Sequence, residues 1–229
     1  MFGLGSRHAA STGDSRISTP MSSVGDVFES PPTRERVVVR VGNAETGGKL
    51  LVLDVYVQPG GAVVGEHVHA SLVETFVLVR GRIGVRLNGQ ESFYDQPGAR
   101  VNVPTGMAHY WWNANEGETR MLLSVRPGLR FEQMVLRQLY GLAKDGRTDA
   151  LGRPSLLQAA VITQEFGDVT RFTQPSPAKQ RLLFGVLAPI ARIRGYHALD
   201  PAYAQEQPPK AELEPLPPEL ERLVPTVDM

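Results

Sequence analysis

A chain of 229 residues, 41% hydrophobic and 21% charged, is long enough to bury a sizeable core, and one domain with appendages is the natural reading. Its 24 basic residues are balanced by 24 acidic ones, so it lacks the positive surplus that marks a nucleic-acid binder. With no cysteine, disulfides, thiolate-held zinc, iron–sulfur clusters and thiol nucleophiles are excluded.

Residues 1–33 are rich in Ser, Gly, Thr and Pro and predict a flexible N-terminal arm. Its opening stretch, MFGLGSRHAASTGDSRIST, has no continuous apolar segment of the secretory type, which together with the missing cysteine predicts a cytoplasmic protein. Residues 34–128 carry short β-rich runs broken by Gly, Pro and Asn, among them VVVRV, LLVLDVYV, ETFVLV and HYWW. Such runs at close spacing predict a sandwich or barrel, with Asn88-Gly89 as a tight hairpin.

The period lengthens over 129–200, where a helical extension is expected to pack on the barrel or on a partner. Phe131, Val135, Leu139 and Leu142 recur at helical spacing, and a second helix is expected over 154–166. Ser176-Pro177 is placed to open a third, with Leu183, Val186, Leu187 and Ile190 inward and Pro189 kinking or ending it. Residues 201–229 form a Pro-rich acidic tail without a core of its own, whose Leu213, Leu216, Leu220 and Leu223 are spaced to dock on a surface. The longest apolar run, Leu182 to Ala191, falls well short of the roughly 20 residues of a membrane span. Although Lys179, Arg181, Arg192 and Arg194 flank it, membrane association is not expected.

The stretch GEHVHASLVETFVLVRG, residues 65–81, brings potential ligands together. His67 and His69 share one face of a strand, and Glu74 returns on the next with Phe76 and Leu78 beside it. Two imidazoles and a carboxylate suit one divalent transition metal: iron, manganese, nickel or zinc. His109 opens HYWW; if it points inward, Trp111 shares its face while Tyr110 and Trp112 turn outward. Spacing alone equally allows ordinary surface or hydrogen-bonded histidines. His8, in the arm, and His197, beside Tyr196, are read in that ordinary way. No dinucleotide glycine fingerprint or phosphate loop occurs.

Two complete patterns go further. Gly61, His67, His69, Glu74 and Gly81 stand at the spacings of the first cupin motif, and Gly98, Pro104, Gly106, His109 and Asn113 at those of the second. Over residues 35–128 the chain resembles a small single-domain cupin, and its helical extension faintly resembles those of uncharacterised bacterial cupins. The resemblance implies an all-β fold, a double-stranded β-helix or jelly-roll-like barrel, followed by about three α-helices. It also implies one metal near the open end of the barrel, held by His67, His69, Glu74 and His109.

Such a site leaves one or two coordination positions open. The expected activity is a cupin-type dioxygenase acting on a small organic substrate, with a metal-dependent isomerase or a non-catalytic binding module as alternatives. Val55, Val57, Phe76, Leu78, Val85 and Trp111 are the pocket candidates, each equally readable as barrel core. Asp54 and Tyr56 have the opposite parity. Arg80 and Arg86 are expected at the exposed edge, and Glu66 either supports the first ligand or faces water. Exposed strand edges predict a homodimer.

Overall fold

The computed structural model describes residues 19–227; the expected arm up to residue 18, with His8, lies outside them. The strands in chain order are β1 (Val27–Ser30), β2 (Glu35–Val41), β3 (Leu51–Val57), β4 (His67–Val68), β5 (Val73–Arg80), β6 (Ile83–Leu87), β7 (Gln90–Tyr94), β8 (Arg100–Val103), β9 (His109–Asn113), β10 (Thr119–Arg126) and β11 (Arg171–Phe172). A one-turn helix, α1 (Asn43–Thr46), separates β2 from β3. All pairings are antiparallel and form two sheets, ordered β1-β2-β3-β10-β5-β8 and β11-β4-β9-β6-β7. Asn88 and Gly89 close the β6–β7 hairpin with φ of 46° and 84°, the left-handed pair that matches strand twist.

Alternation explains the core. Leu51, Leu53, Val55 and Val57 of β3 share one core with Phe76, Leu78 and Met121 of the same sheet and Val85 and Trp111 of the other, each buried side chain worth roughly 1.5–3 kcal/mol. The opposite face of β3 is buried too. Val52, Asp54 and Tyr56 lie outward by parity, yet all are covered. The Asp54 carboxylate accepts hydrogen bonds from Arg40 and Arg120, and both guanidiniums also donate to the Glu214 carbonyl. Farther along, Leu216 and Leu220 bury themselves against Val77, Val79 and Leu122. The Pro-rich segment is therefore a strap over the outside of the larger sheet.

Strand β1 lies inside the stretch read as a flexible arm. Val27 pairs with Val38, its amide donates to the Pro209 carbonyl, and its side chain packs with Tyr56. Backbone pairing and strap contacts order a segment whose own apolar content is low, which composition does not register.

The helices are α2 (Leu129–Phe131), the π-helical segment Glu132–Leu139, α3 (Tyr140–Lys144), α4 (Leu156–Phe166), α5 (Pro177–Ile193), α6 (Pro201–Gln205) and α7 (Pro218–Glu221). They make up too much of the molecule for an all-β description: the chain is a two-sheet antiparallel domain with a helical layer. The continuous helix over 129–144 presents Phe131, Met134, Val135, Leu136 and Leu139 to the interior of the β-domain. A π-helical i→i+5 turn takes more residues per turn, so the inward set is wider than the four positions expected from regular spacing.

In α5 the expected face is reversed. Phe184, Ala188 and Ala191 are buried against Ala160 and Val161 of α4, whereas Leu183, Val186 and Ile190 are exposed and Leu187 is only partly covered. Both faces of α5 are apolar, so the pattern does not choose between them. The small alanines permit the closer helix–helix approach. The helix passes through Pro189 and continues to Ile193. No helix of the described residues is long and apolar enough to cross a membrane.

Candidate metal centre

His67 lies on β4 and pairs directly with His109 on β9, so these two imidazoles come from adjacent strands of the smaller sheet. His69 follows two residues after His67 on the same face. Glu74, on β5 of the larger sheet, closes the set from across the sandwich. All four are buried, and each offers one ligand atom within 4.8 Å of the others.

The orientation of the imidazoles is held from behind. Nδ1 of His67 lies 2.9 Å from the Gly65 carbonyl, Nδ1 of His69 lies 2.7 Å from the Val169 carbonyl, and Nδ1 of His109 lies 3.2 Å from the Met107 carbonyl. Carbonyls only accept, so each Nδ1 carries the hydrogen, and a ring in its neutral form has its Nε2 lone pair free for an ion. Two of those nitrogens, of His109 and His69, stand 3.0 and 3.3 Å from Glu74 Oε2. The His69 nitrogen is fully buried and makes no hydrogen bond. Lone pairs facing a carboxylate need a positive charge between them, and a divalent cation meets that need for all four groups at once.

The electrostatics show the demand of the Glu74 carboxylate for a positive charge beside it. Burial, then the neighbouring His109 and His69, drive His67 down to about 3, so this ring is neutral at physiological pH. Burial pushes the Glu74 carboxyl up, but His69 and His109 overcome it and hold it well below the usual carboxylate range. For His69, burial acts downward, and Glu74 outweighs it to raise the ring above its ordinary value. The residues fit a borderline divalent ion through three nitrogens and one carboxylate oxygen.

Residues 53–125 match the family model for the cupin domain. The chain carries a cupin domain. None of the curated proteins compared matches the chain. Among solved structures, it is similar to KdgF from Halomonas sp. (18% identity, 44% of this chain and 84% of that one, TM-score 0.38). A second is a predicted oxalate decarboxylase from Thermotoga maritima (17%, 49% and 95%, TM-score 0.39). A third is Pac13, a nucleoside dehydratase from Streptomyces (18%, 44% and 75%, TM-score 0.36).

A cavity of about 70 Å³ opens inside the cupin domain beside the cluster, lined by His67, His69 and Glu74. At roughly 15 Å³ per water position it admits a few waters or a compact organic molecule. Of the six pocket candidates, Val55 and Trp111 line it; Val57, Phe76, Leu78 and Val85 are buried in the core and do not. Inward parity is shared by all six, but only the residues opposite the helical layer meet open space. Arg80 pairs with Glu118 and Glu214, Arg86 pairs with Glu91, and Glu66 accepts from Thr173; none of the three lines the cavity. His197 is exposed.

Much of the lining comes from outside the two motifs. Phe131, Met134, Leu139 and Tyr140 come from the helical layer, and Thr170 and Phe172 from β11 and the residue before it. Glu35 also lines the cavity, and the alternation in ERVVVRV contains the signal: Glu35 has the parity of the buried Val37 and Val39. The helical residues carry no comparable signal, because their position depends on how the layer folds back.

Proposed function

We propose that the protein is a metal-dependent enzyme of small-molecule chemistry, a cupin-type dioxygenase holding one iron, manganese, nickel or zinc ion through His67, His69, Glu74 and His109. The observation that carries this reading is the pinning of all three Nδ1 atoms, which aims three Nε2 lone pairs and one carboxylate at a common point beside an apolar cavity. When bound, such an ion supplies open positions at which a substrate oxygen and dioxygen are brought together.

The chain's own residues do the rest. Leu53, Val55, Trp111, Phe131 and Met134 exclude bulk water and favour an aliphatic or aromatic body. Among the described residues neither Lys nor Arg lines the cavity, so a phosphorylated substrate finds no basic side chain there. The backbone carbonyls behind the histidines keep the rings turned inward. On this reading residues 34–128 hold the ion, 129–200 supply one wall and 201–227 strap the outside of the larger sheet. We also assign a homodimer, supported by the exposed Phe93 and the Tyr110–Trp112 stack on the outside of the smaller sheet, and a cytoplasmic location, the reading that a chain without cysteine supports.

A second reading, metal-assisted isomerisation, is favoured by the buried Glu35 carboxyl in the same cavity, because proton relocation needs a base that is not itself a ligand. Metal analysis of protein purified without added metal tests the shared premise, with about one ion per chain expected and a metal-free protein overturning it. Oxygen uptake that depends on small hydroxy- or oxo-substrates supports the dioxygenase. Solvent-deuterium incorporation without oxygen uptake moves the assignment to the isomerase. Tight binding without turnover under all four metals leaves a binding module.

A further inference from the structure

Glu35 is a buried acid with an unusual set of partners. It lies on β2 and is only 7% exposed, and it lines the cavity that His67, His69 and Glu74 line. Both of its hydrogen bonds fall on the same oxygen: Thr33 Oγ1 donates to Oε2 at 2.5 Å and the Tyr140 hydroxyl donates to Oε2 at 3.0 Å. Among the described residues, Oε1 receives no hydrogen bond and no cation stands within ion-pair reach of the carboxyl. A carboxylate kept for stability alone is normally closed by a cation or by donors on both oxygens.

Its position is equally specific. Strands β3 and β10 intervene between β2 and β5 in the larger sheet, so Glu35 and Glu74 reach the cavity from different sides. The wall between them is apolar, with Val37, Leu53, Val55 and Leu123. The cavity therefore has two polar ends and a greasy middle.

We propose that Glu35 is a second functional group of this site, binding and exchanging a proton with the polar end of a small ligand whose other end meets the imidazole cluster. The proposal rests on the metal-dependent reading above and adds a ligand class: a short, mostly apolar molecule with an oxygen donor at one end and a hydroxyl or amino group at the other. With an amino group the O–H bond of neutral Glu35 breaks as its proton passes to the nitrogen lone pair, whereas a hydroxyl is held by the same carboxyl through a hydrogen bond. The carboxylate left behind keeps its electron pair and is held by the two hydroxyl donors. The reverse transfer takes the proton from the ligand. Tyr140 and Thr33 are positioning residues.

Burial raises the carboxyl from 4.5 to about 7, against the pull of Thr33 and Tyr140, so both forms are populated near neutral pH. Tyr140 is the titratable group in direct contact, and burial, then Glu35, push its hydroxyl well above the ordinary value. Ser30 and Thr33 add uncharged hydroxyls, and His67, His69 and Glu74 face the cavity from its other side.

Two measurements test the proposal. Infrared titration of metal-free protein is expected to show a protonated carboxyl band that disappears near neutral pH and is missing in Glu35→Gln. No such band overturns the proposal, as does one that persists in the variant. Should Glu35→Gln fail to fold, Tyr140→Phe serves instead: losing one donor raises the midpoint by half a unit or more, and an unmoved midpoint counts against the assignment. The second measurement titrates zinc-loaded protein at pH 6 with 3-hydroxypropanoate, 4-hydroxybutyrate and 5-hydroxypentanoate, each against its methyl isostere butanoate, pentanoate or hexanoate. At one chain length the hydroxy acid is expected to bind at least fivefold tighter, and Glu35→Leu to reduce this preference below twofold with zinc content unchanged. No preference at any length, or the same preference in Glu35→Leu, overturns the proposal. A wild type that takes up no zinc fails the metal reading instead, and the infrared titration still decides on Glu35.

Discussion

Glu74 and Glu132 are both buried carboxylates, 3% and 1% exposed, and they are completed in opposite ways. Glu132 accepts from the Ser22 amide and hydroxyl, from Asn43 Nδ2 and from Arg137 Nε, a closed set that ties the chain before β1 to the π-helical segment. Glu74 faces imidazole nitrogens whose hydrogens are turned away, at the wall of a cavity. Burial is common to both and does not tell them apart. What separates a structural charge from a functional one here is whether the protein supplies the missing hydrogens itself. Glu35 stands between the two, with two hydroxyl donors and no cation.

The largest effect expected from this contrast is on the closed cluster. Glu132→Ala leaves the buried Arg137 guanidinium uncompensated and should lower stability by about 3–5 kcal/mol, read by chemical denaturation; a loss under 1 kcal/mol would erase the contrast. In the open cluster, His109→Ala should weaken metal binding by a hundredfold or more, about 2.7 kcal/mol, while circular dichroism of the metal-free protein stays as in wild type. Equal metal content in both proteins would refute the ligand set.

Glu35 sharpens the comparison through pH. Its folded pKa of about 7 lies above the ordinary 4.5, so between these values the native state holds more proton than the unfolded chain. The stabilisation is full below pH 4.5 and is lost as pH rises through 7. Glu35→Gln removes that slope, and wild-type stability should fall relative to the variant by ~2.5 kcal/mol from pH 5 to pH 8. Parallel pH profiles would place Glu35 with the ordinary carboxylates. At the small end, Arg86→Ala breaks an exposed pair with Glu91 and should leave the denaturation midpoint unchanged within error, a control for charge removal as such.

The sequence reading and the structure part company where faces are chosen by distant partners. The resemblance to cupins names His67, His69, Glu74 and His109, the four residues that the structure brings together, and strand alternation accounts for the shared face of His67 and His69. The same alternation marks Glu35 as inward, but a lone acid at the head of a valine run offers no reason to prefer a cavity over a strand end. In α5 the helix is legible and its orientation is not, since Leu183, Val186 and Ile190 form as good a stripe as the Phe184, Ala188 and Ala191 that are actually buried. The docking of the strap is legible in Leu213, Leu216, Leu220 and Leu223, which all pack on the larger sheet; its anchoring over β3 is not, since there Arg40 and Arg120 donate to the Glu214 backbone, which no side-chain pattern records.

From the sequence by itself follow the strands and their inward faces, because backbone period acts over a few residues at a time, and the resemblance to cupins adds the four ligand residues that the structure brings together. Only the tertiary structure decides which inward residues meet open space, which face of α5 is covered and that Glu35 shares a cavity with the cluster. Those outcomes depend on how separately formed layers close on one another, and the free energy that selects among them lies in contacts between segments distant along the chain.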